Sequence, residues 1–318
     1  MYKIKQIPED FFVKEIPDYQ LDQKGEYSYF LLKKRNYTTM NAISKIANKL
    51  KIPLKFIGFA GNKDKIAVTE QVISIKNLKV TDIAKLNIKD IKLEFVGNSN
   101  KPISLGDLKG NQFKIIVRNL PTKRTLTKSI ERIPNYFGPQ RFSKNNIEIG
   151  RYLVKKNFKK AIDLIDQRKV NEFLEDNPGN YIGAIRTLPL KLRKIYIHAY
   201  QSFLWNKTVE EYLKSAPYKN ELIPIIGFGT ELKNNKISEI IREIMQKENL
   251  NQRDFIIPQM PELSEEGNER YLFTNPKNLT IKIENDELNQ DKYKAIVSFI
   301  LPKASYATII IDYLFQEL

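Results

Sequence analysis

Hydrophobic residues recur along the chain with two different periods, and the two periods do not alternate regularly. The period of two that is typical of strands appears near residues 27–31, 91–95, 113–117 and 297–301. The helical period of 3.6 appears near residues 40–50, 158–165, 190–213 and 237–245. A doubly wound fold would alternate the two periods one by one. The irregular order therefore predicts a mixed sheet with helices and excludes a regular βαβ repeat.

The length of 318 residues predicts two domains, because single hydrophobic cores usually stop growing at ~250 to 300 residues. No stretch approaches the ~20 consecutive apolar residues that a membrane span requires, and residues 1–5 lack the apolar run of a signal peptide. We therefore expect a cytoplasmic protein that does not bind membranes. The absence of cysteine agrees with a reducing compartment.

Two residue types that carry much enzyme chemistry are almost missing. The chain has no cysteine, which excludes disulfides, thiolate metal sites and cysteine nucleophiles. It has one histidine, His198, so a histidine-rich metal site cannot be built, and we expect no metal. Carboxylates, lysines, arginines, hydroxyls or phenols must then carry any chemistry. His198 and Trp205 lie in the apolar-periodic segment 190–213, and we predict that both pack within a helix.

The positive charge is confined to the first two thirds of the chain. The formal net charge is +16, with 53 Lys and Arg against 37 Asp and Glu. Residues 1–200 hold 39 basic and 19 acidic residues, whereas residues 201–318 hold 14 and 18. Such a one-sided field attracts polyanions, and nucleic acid is the leading candidate. The alternative is a lysine-rich composition without a specific partner.

Residues 58–71 place a carboxylate between two cations. Asp64 stands between Lys63 and Lys65 in a glycine-containing loop ahead of a β-rich run. Cationic neighbours favour the ionised form of a carboxylate even when it is partly desolvated, and an ionised carboxylate can act as a nucleophile or a base. Taken alone, the segment favours an ordinary turn in which Asn62 and Asp64 suit the backbone.

Three further segments combine aromatic and polar residues. Residues 134–142 place two aromatics, an amide and Arg141 between turn signals, which suits a loop that stacks and hydrogen-bonds a base. The same aromatics could equally fill a core. Residues 5–15, taken alone, look like an edge strand, and residues 301–308 like a turn into a C-terminal helix.

Together these segments resemble the signatures of the TruD family of tRNA pseudouridine synthases. The similarity covers the opening P-E-D-F-x-V-x-E at 8–15, G-x-K-D-[KR]-x-A-V-T-x-Q at 61–71, L-G-x-L-K-G-N-x-F at 105–113, N-Y-F-G-x-Q-R-F at 135–142 and L-P-x-[GA]-S-[FY]-A-T at 301–308. It runs from residue 5 to residue 312. The segments 61–71 and 135–142 are long and specific, so chance is a poor explanation.

The resemblance implies roles for particular residues. Asp64 falls on the family's catalytic aspartate. Phe11, Asn135 and Tyr306 fall on positions that contact the substrate uridine, and Lys5 falls on a basic position of the active-site cleft. The family more often has phenylalanine where Tyr306 stands.

Three more residues are candidates for substrate binding on chemical grounds. The ring of Phe137 offers a face for stacking a base. Arg141 and Lys63 can hold a phosphate or orient the catalytic carboxylate.

The resemblance also implies the architecture and the activity. It implies an α+β fold in which a catalytic domain with a mixed, largely antiparallel sheet, formed by residues 1–155 and 285–318, is interrupted by an α/β TRUD domain at 156–284. The two domains would form a V-shaped molecule with RNA in the cleft. The implied reaction is the isomerisation of uridine to pseudouridine in tRNA, usually at uridine 13, by a monomer without a cofactor.

Two other functions remain compatible with the basic charge and the aromatics. One is a non-catalytic RNA-binding protein or RNA chaperone. The other is a nuclease, for which paired carboxylates would be expected to hold a metal. No such pair stands near Asp64 at a convincing spacing.

Overall fold

The structure is a computed structural model, and it describes residues 1–83, 86–123, 132–215 and 219–315. Its strands are β1 (Phe11–Pro17), β2 (Tyr27–Arg35), β3 (Ile57–Phe59), β4 (Val68–Lys76), β5 (Ile91–Ser99), β6 (Leu108–Leu120), β7 (Ile133–Pro134), β8 (Leu222–Ile225), β9 (Asn268–Tyr271), β10 (Phe273–Thr274), β11 (Lys277–Asn285) and β12 (Tyr293–Pro302). Its helices are α1 (Thr39–Leu50), α2 (Val80–Ile83), α3 (Asn146–Val154), α4 (Phe158–Asp163), α5 (Arg168–Asp176), α6 (Tyr181–Arg186), α7 (Leu190–Tyr212), α8 (Lys236–Lys247) and α9 (Ala307–Phe315).

The chain divides into two compact units. The first unit consists of Met1–Arg132 and Asn275–Leu318, and the second of Ile133–Thr274. The second unit thus begins and ends earlier in the chain than the inserted domain that we predict at 156–284. The reason is strand and helix pairing: β7 pairs with β10 and α3 packs on α7 within the second unit, whereas β11 pairs with β12 in the first.

The first unit is built on one large sheet. Its strand order is β11-β12-β6-β1-β4-β2-β5. The short strand β3 pairs with residues 73–75 of β4, beyond the residues that pair with β1. Strands β1 and β4 run parallel, with Phe12 opposite Val68. The other pairs that the described residues form in this sheet are antiparallel. The prediction of an α+β fold with a mixed, largely antiparallel sheet is therefore confirmed.

Helix α1 covers one face of this sheet, as its helical period predicts. The side chain of Thr38 caps the helix by accepting a hydrogen bond from the backbone N–H of Asn41. Ile43 and Ile46 lie on the buried side of the helix and share a core with Phe30 of β2. This core fixes the helix against β2 and β4, and β4 directly follows the loop that carries Asp64.

The second unit is organised around α7. Trp205 is fully buried, and its indole N–H donates to the backbone carbonyl of Ile223 at 3.1 Å, so the prediction that Trp205 packs within a helix is confirmed. A side chain on Gly150 would collide with the backbone carbonyl of Tyr196, which explains how closely α3 approaches α7. Among the described residues, none of the helices combines the length and the apolar character needed to cross a bilayer.

A buried ion cluster anchors the turn ahead of β1. Arg118 of β6 is 1% exposed and donates to Asp10 at 2.8 Å and to Asp286 at 2.7 Å, and both carboxylates are buried. A third carboxylate, Glu287, lies 3.1 Å away and is half exposed. Asp10 closes the short 3-10 turn Pro8–Asp10, so the cluster fixes where β1 begins.

Candidate active site

The loop between β3 and β4 carries Asp64, and buried side chains hold this loop in place. The hydroxyl of Thr39 accepts a hydrogen bond from the backbone N–H of Lys63 and donates to Oε1 of Gln71, both at 2.8 Å. The amide nitrogen of Gln71 donates to the backbone carbonyl of Gly61 at 3.0 Å. Thr39 and Gln71 are fully buried, so water does not compete for these bonds. The backbone on the N-terminal side of Asp64 is therefore fixed.

The carboxylate of Asp64 forms an ion pair with Lys5. The ammonium nitrogen of Lys5 lies 2.6 Å from Oδ2 of Asp64, and the two side chains are 20% and 31% exposed. A cation at this distance favours the ionised carboxylate. The partial exposure of Asp64 leaves the group accessible to a ligand. Lys5 itself has a φ of 57°, a conformation that is uncommon for a residue with a side chain.

A second lysine, Lys34 of β2, contacts the backbone of the same loop. Its ammonium group donates to the carbonyl of Asp64 at 3.0 Å and to the carbonyl of Tyr37 at 2.5 Å. Lys34 is 2% exposed, and this burial lowers its pKa to about 8, although the charge of Asp64 acts in the opposite direction. Nothing in the sequence distinguishes Lys34, because a lysine inside a strand ordinarily points to solvent.

The ammonium group of Lys63 contacts two strands of the sheet. Its ammonium group lies 2.9 Å from the carboxylate of Glu15 in β1 and donates to Oδ1 of Asn111 in β6 at 2.6 Å. Burial raises the pKa of Glu15, and the charge of Lys63 offsets part of this rise. The contacts of Lys63 tie the Asp64 loop to the sheet, whereas the predicted role was to bind phosphate or orient the carboxylate.

Phe11 lies directly beneath the ion pair. Its ring is 4% exposed, and the ammonium group of Lys5 stands 4.2 Å from its centre. The ring packs edge-on against Phe113 at 6.2 Å, and Phe113 stacks on Phe299 of β12 at 5.4 Å. The residue predicted to contact a uridine thus forms the floor of the Asp64 site.

Tyr306 belongs to the same unit as Asp64. It lies in the turn between β12 and α9 and is partly buried. In the sheet, Leu301 near the end of β12 pairs with Asn111, and the side chain of Asn111 binds Lys63. The turn carrying Tyr306 therefore leaves the sheet close to the strand positions that anchor the Asp64 loop.

The structure places three other predicted residues in the second unit, the first of them Asn135. Asn135 follows β7 and is 7% exposed. Its Oδ1 accepts from Arg270 at 2.7 Å, its backbone carbonyl accepts from the same guanidinium at 2.8 Å, and its amide donates to the carbonyl of Tyr271 at 3.2 Å. Arg270 therefore fixes the conformation of Asn135 within this unit.

Phe137 and Arg141 are the other two predicted substrate-binding residues that lie in the second unit. The ring of Phe137 is 8% exposed, with the guanidinium of Arg270 at 4.3 Å from its centre and Trp205 edge-on at 5.5 Å. This environment supports the packing role that the sequence left open for the ring. Arg141 lies 5.8 Å from the same ring and donates through Nε to the hydroxyl of Ser202 at 3.3 Å.

Sequence reasoning missed the residues that hold the loop. Gln71 is the last residue of the motif at 61–71, and Thr39 lies outside every motif. Their hydrogen bonds to the loop depend on α1 and β4 lying side by side, which no local pattern reveals. Among the residues that the structure describes, no group of three or more His, Asp or Glu side chains is placed to hold a metal ion.

Comparison with known proteins gives a consistent family. The family model for tRNA pseudouridine synthase D (TruD) matches residues 2–172, 164–223 and 218–313. The tRNA pseudouridine synthase D of Aquifex aeolicus is 31% identical, and the match covers 98% of this chain and 98% of that protein. A probable tRNA pseudouridine synthase D of Methanococcoides burtonii is also 31% identical, with 97% and 92% covered.

A solved structure agrees with these relatives. The crystal structure of a TruD protein from Methanosarcina mazei superimposes with a TM-score of 0.76 and 26% identity. The match covers 99% of this chain and 93% of that one. Both the sequence and the fold are thus matched over nearly their whole length, and the chain belongs to the TruD family of tRNA pseudouridine synthases.

Proposed function

We propose that this protein converts uridine 13 of tRNA to pseudouridine and that Asp64 is its catalytic group. The observation that carries the proposal is the ion pair between Lys5 and Asp64 on a loop fixed by buried hydrogen bonds. It provides one ionised, partly exposed carboxylate in a defined position, which is the group this reaction requires. The family to which the chain belongs supports tRNA as the substrate.

The reaction is an isomerisation and needs no oxidant or reductant. The bond between N1 of uracil and C1′ of ribose breaks, the base turns, and a bond forms between C5 and C1′. The proton on C5 leaves to solvent and N1 takes up a proton, so the atoms balance. Asp64 would act as a nucleophile on the ribosyl carbon or the base, or as a base that removes a ribose proton. Each role uses the carboxylate in its ionised form.

The target uridine must leave the base stack before the carboxylate can reach its sugar. We assign Phe11 and Tyr306 to the contacts with the extruded base and, separately, Asn135 of the second unit to a contact with the RNA substrate, on the strength of the family motifs. The position of Phe11 beneath Lys5 and Asp64 supports this assignment within the first unit. The side chain of Asn135 is held by Arg270, which would preorient its amide.

The test is the substitution Asp64→Asn, assayed by tritium release from tRNA that carries 5-tritiated uridine. The variant should bind tRNA like the wild type and release no tritium. Asp291→Asn is the matched control, because Asp291 is exposed and has a φ of 54° that asparagine adopts readily. Turnover by Asp64→Asn at the wild-type rate would refute the assignment of Asp64.

The same assay separates the alternative functions. A transcript with cytidine in place of uridine 13 should release no tritium, and release at the wild-type rate would show that the target lies elsewhere. A wild-type protein that binds tRNA without forming pseudouridine would instead be a non-catalytic RNA-binding protein.

A further inference from the structure

The second unit contains a pocket that is distinct from the Asp64 site. Its volume is about 220 Å³, and every residue that lines it belongs to Ile133–Thr274. The lining includes Arg141, His198 and Glu265, together with the backbone at Gly267. Pockets for drug-sized ligands usually measure ~300 to 1,000 Å³, so this one suits a single planar nucleobase.

The carboxylate of Glu265 faces this pocket with one oxygen available. Its Oε1 lies 3.1 Å from Nε2 of His198 and 3.2 Å from the ammonium group of Lys194. Its Oε2 makes no hydrogen bond to any residue that the structure describes. Burial acts to raise the pKa of Glu265, but hydrogen bonds and charges from His198 and Lys194 outweigh it and hold the pKa below its usual range. Glu265 is therefore an ionised acceptor at neutral pH.

The guanidinium of Arg141 is the second polar group of the pocket. Its Nε is engaged by the hydroxyl of Ser202, whereas Nη1 and Nη2 make no hydrogen bond or ion pair with the described part of the chain. Arg141 and Glu265 are not paired with each other, although both line the pocket. The pocket thus offers a forked donor and a charged acceptor to the same ligand. His198, which the sequence assigned to helix packing, is instead the partly exposed partner of this acceptor.

This combination matches the hydrogen-bonding groups of one RNA base. Guanine presents O6 and N7 as adjacent acceptors, the pair that an arginine fork binds. On the neighbouring edge it presents N1–H and the N2 amino group, two adjacent donors that suit a carboxylate. Uracil lacks an amino group, and adenine and cytosine place an acceptor beside theirs. A phosphate is disfavoured because it would meet the charge of Glu265.

We propose that this pocket holds one unpaired guanine of the RNA substrate, with Arg141 at O6 and N7 and Glu265 at N1 and N2. The proposal rests on RNA being the substrate. It does not depend on Asp64, because the binding of a free nucleotide can be measured without turnover. The site would add a sequence-reading contact in the second unit to the catalytic contacts proposed for the first.

The single histidine of the chain makes the pocket directly observable. In the full-length protein labelled with nitrogen-15, the imidazole signals come from His198 alone, which lies at the pocket. Titration with 5′-GMP should shift these signals saturably. AMP, CMP and UMP should bind at least about tenfold more weakly, because each lacks at least one of the two paired contacts. The absence of a saturable shift with GMP, or equal affinities for all four nucleotides, would overturn the proposal.

Two variants tie the shift to the proposed contacts. Glu265→Gln keeps the size of the side chain but replaces the carboxylate by an amide. Arg141→Lys keeps the positive charge but removes the paired N–H donors of the guanidinium. Each should weaken GMP binding by about tenfold or more. Glu243→Gln is the matched control on the exposed side of α8 and should bind GMP normally. The fluorescence of Trp205, the one tryptophan, verifies that the second unit is folded in each variant. GMP binding that persists in Glu265→Gln would contradict the assignment.

The proposed guanine site and the proposed reaction fail separately. A wild-type protein that forms pseudouridine but shows no GMP-dependent shift of His198 would refute the guanine site alone. A protein that binds GMP at His198 but forms no pseudouridine would refute the reaction alone. Asp64→Asn should show the full GMP shift, because Asp64 is not among the residues that line the pocket.

Discussion

The ammonium group of Lys5 lies 2.6 Å from Oδ2 of Asp64 and 4.2 Å from the centre of the Phe11 ring. One cation therefore contacts both the proposed catalytic carboxylate and the aromatic floor of its site. The two residues of the ion pair come from different segments, one ahead of β1 and the other between β3 and β4. Their contact explains how two segments that are far apart in the chain can form one site.

Replacing Lys5 by methionine should lower kcat for pseudouridine formation by about tenfold or more. A charge-assisted hydrogen bond contributes ~1.5 to 3 kcal/mol, and without it the carboxylate loses both its position and the cation that favours its ionised form. Tritium release at saturating tRNA measures the effect. Lys5→Arg should recover part of the rate. Lys3→Met, which removes an exposed lysine nearby, is the control, and an equal loss in both methionine variants would rule out a specific role for Lys5.

The buried amine of Lys34 should make stability depend on pH in the alkaline range. Its pKa is about 8 in the folded protein and 10.5 in the unfolded chain, so folding disfavours the charged form. The penalty is present in full below pH 8 and is relieved as the pH rises towards 10.5. Between pH 7 and pH 9.5 the wild type should therefore gain roughly 2 kcal/mol of unfolding free energy relative to Lys34→Met.

Urea unfolding of the two proteins at both pH values measures this gain. The control is Lys33→Met, which removes the neighbouring lysine on the opposite face of β2. A hydrogen bond to Glu94 raises the pKa of Lys33. The difference between wild type and Lys33→Met should not change in this way over the same range. A constant difference between wild type and Lys34→Met would show that folding does not lower the pKa of Lys34.

The local segments of the site could be predicted from the sequence, because each is contiguous in the chain. Lys5, Asp64 and Phe11 were identified in this way, and α1 and α8 followed from their helical period. The direction of Lys63 could not be predicted. Its partners are Glu15 and Asn111, which are opposed only through the register of β1 and β6. Lys63 contacts these two strands, whereas Asp64, its neighbour in the chain, pairs with Lys5.

The boundaries of the two units also could not be predicted from local sequence patterns. The strands that open and close the second unit, Ile133–Pro134 and Phe273–Thr274, are two residues long and carry no periodicity. Only their pairing across the chain reveals the boundary. The burial of Lys34 is a similar case, because a lysine in a strand gives no sign of the side that it faces. Long-range pairing decided each of these features.

Thr39→Val should loosen the loop that carries Asp64. The substitution removes a hydroxyl that bonds the backbone of Lys63 and the side chain of Gln71, and it leaves the buried Gln71 and the backbone N–H of Lys63 without this partner. We expect a loss of about 1 to 3 kcal/mol in unfolding free energy and a lower kcat with tRNA binding retained. Thr280→Val, on an exposed position of β11, is the control for the change of side chain. Full activity and stability in Thr39→Val would show that the hydroxyl does not fix the loop.

Arg118→Met should destabilise the protein strongly. It leaves the buried carboxylates of Asp10 and Asp286 without their cation, and breaking a buried ion pair in this way typically costs ~3 to 5 kcal/mol. The urea midpoint should fall accordingly. Arg168→Met removes an arginine from an exposed pair with Glu172 and should change the midpoint little. Equal midpoints for the two variants would contradict the importance of the buried cluster.

The distribution of charge leads to a prediction for RNA binding. Residues 1–200 carry 39 basic against 19 acidic residues, so the protein should neutralise several phosphates of tRNA and release their counterions. The affinity for tRNA should then fall by about tenfold or more between about 50 mM and 200 mM salt, even if only two phosphates are contacted. Filter binding at a series of salt concentrations measures the slope of log affinity against log salt. Asp64→Asn should show a similar slope, since one carboxylate contributes little to phosphate contact. An affinity that does not change with salt would mean that the basic residues of this part of the chain do not meet the RNA backbone.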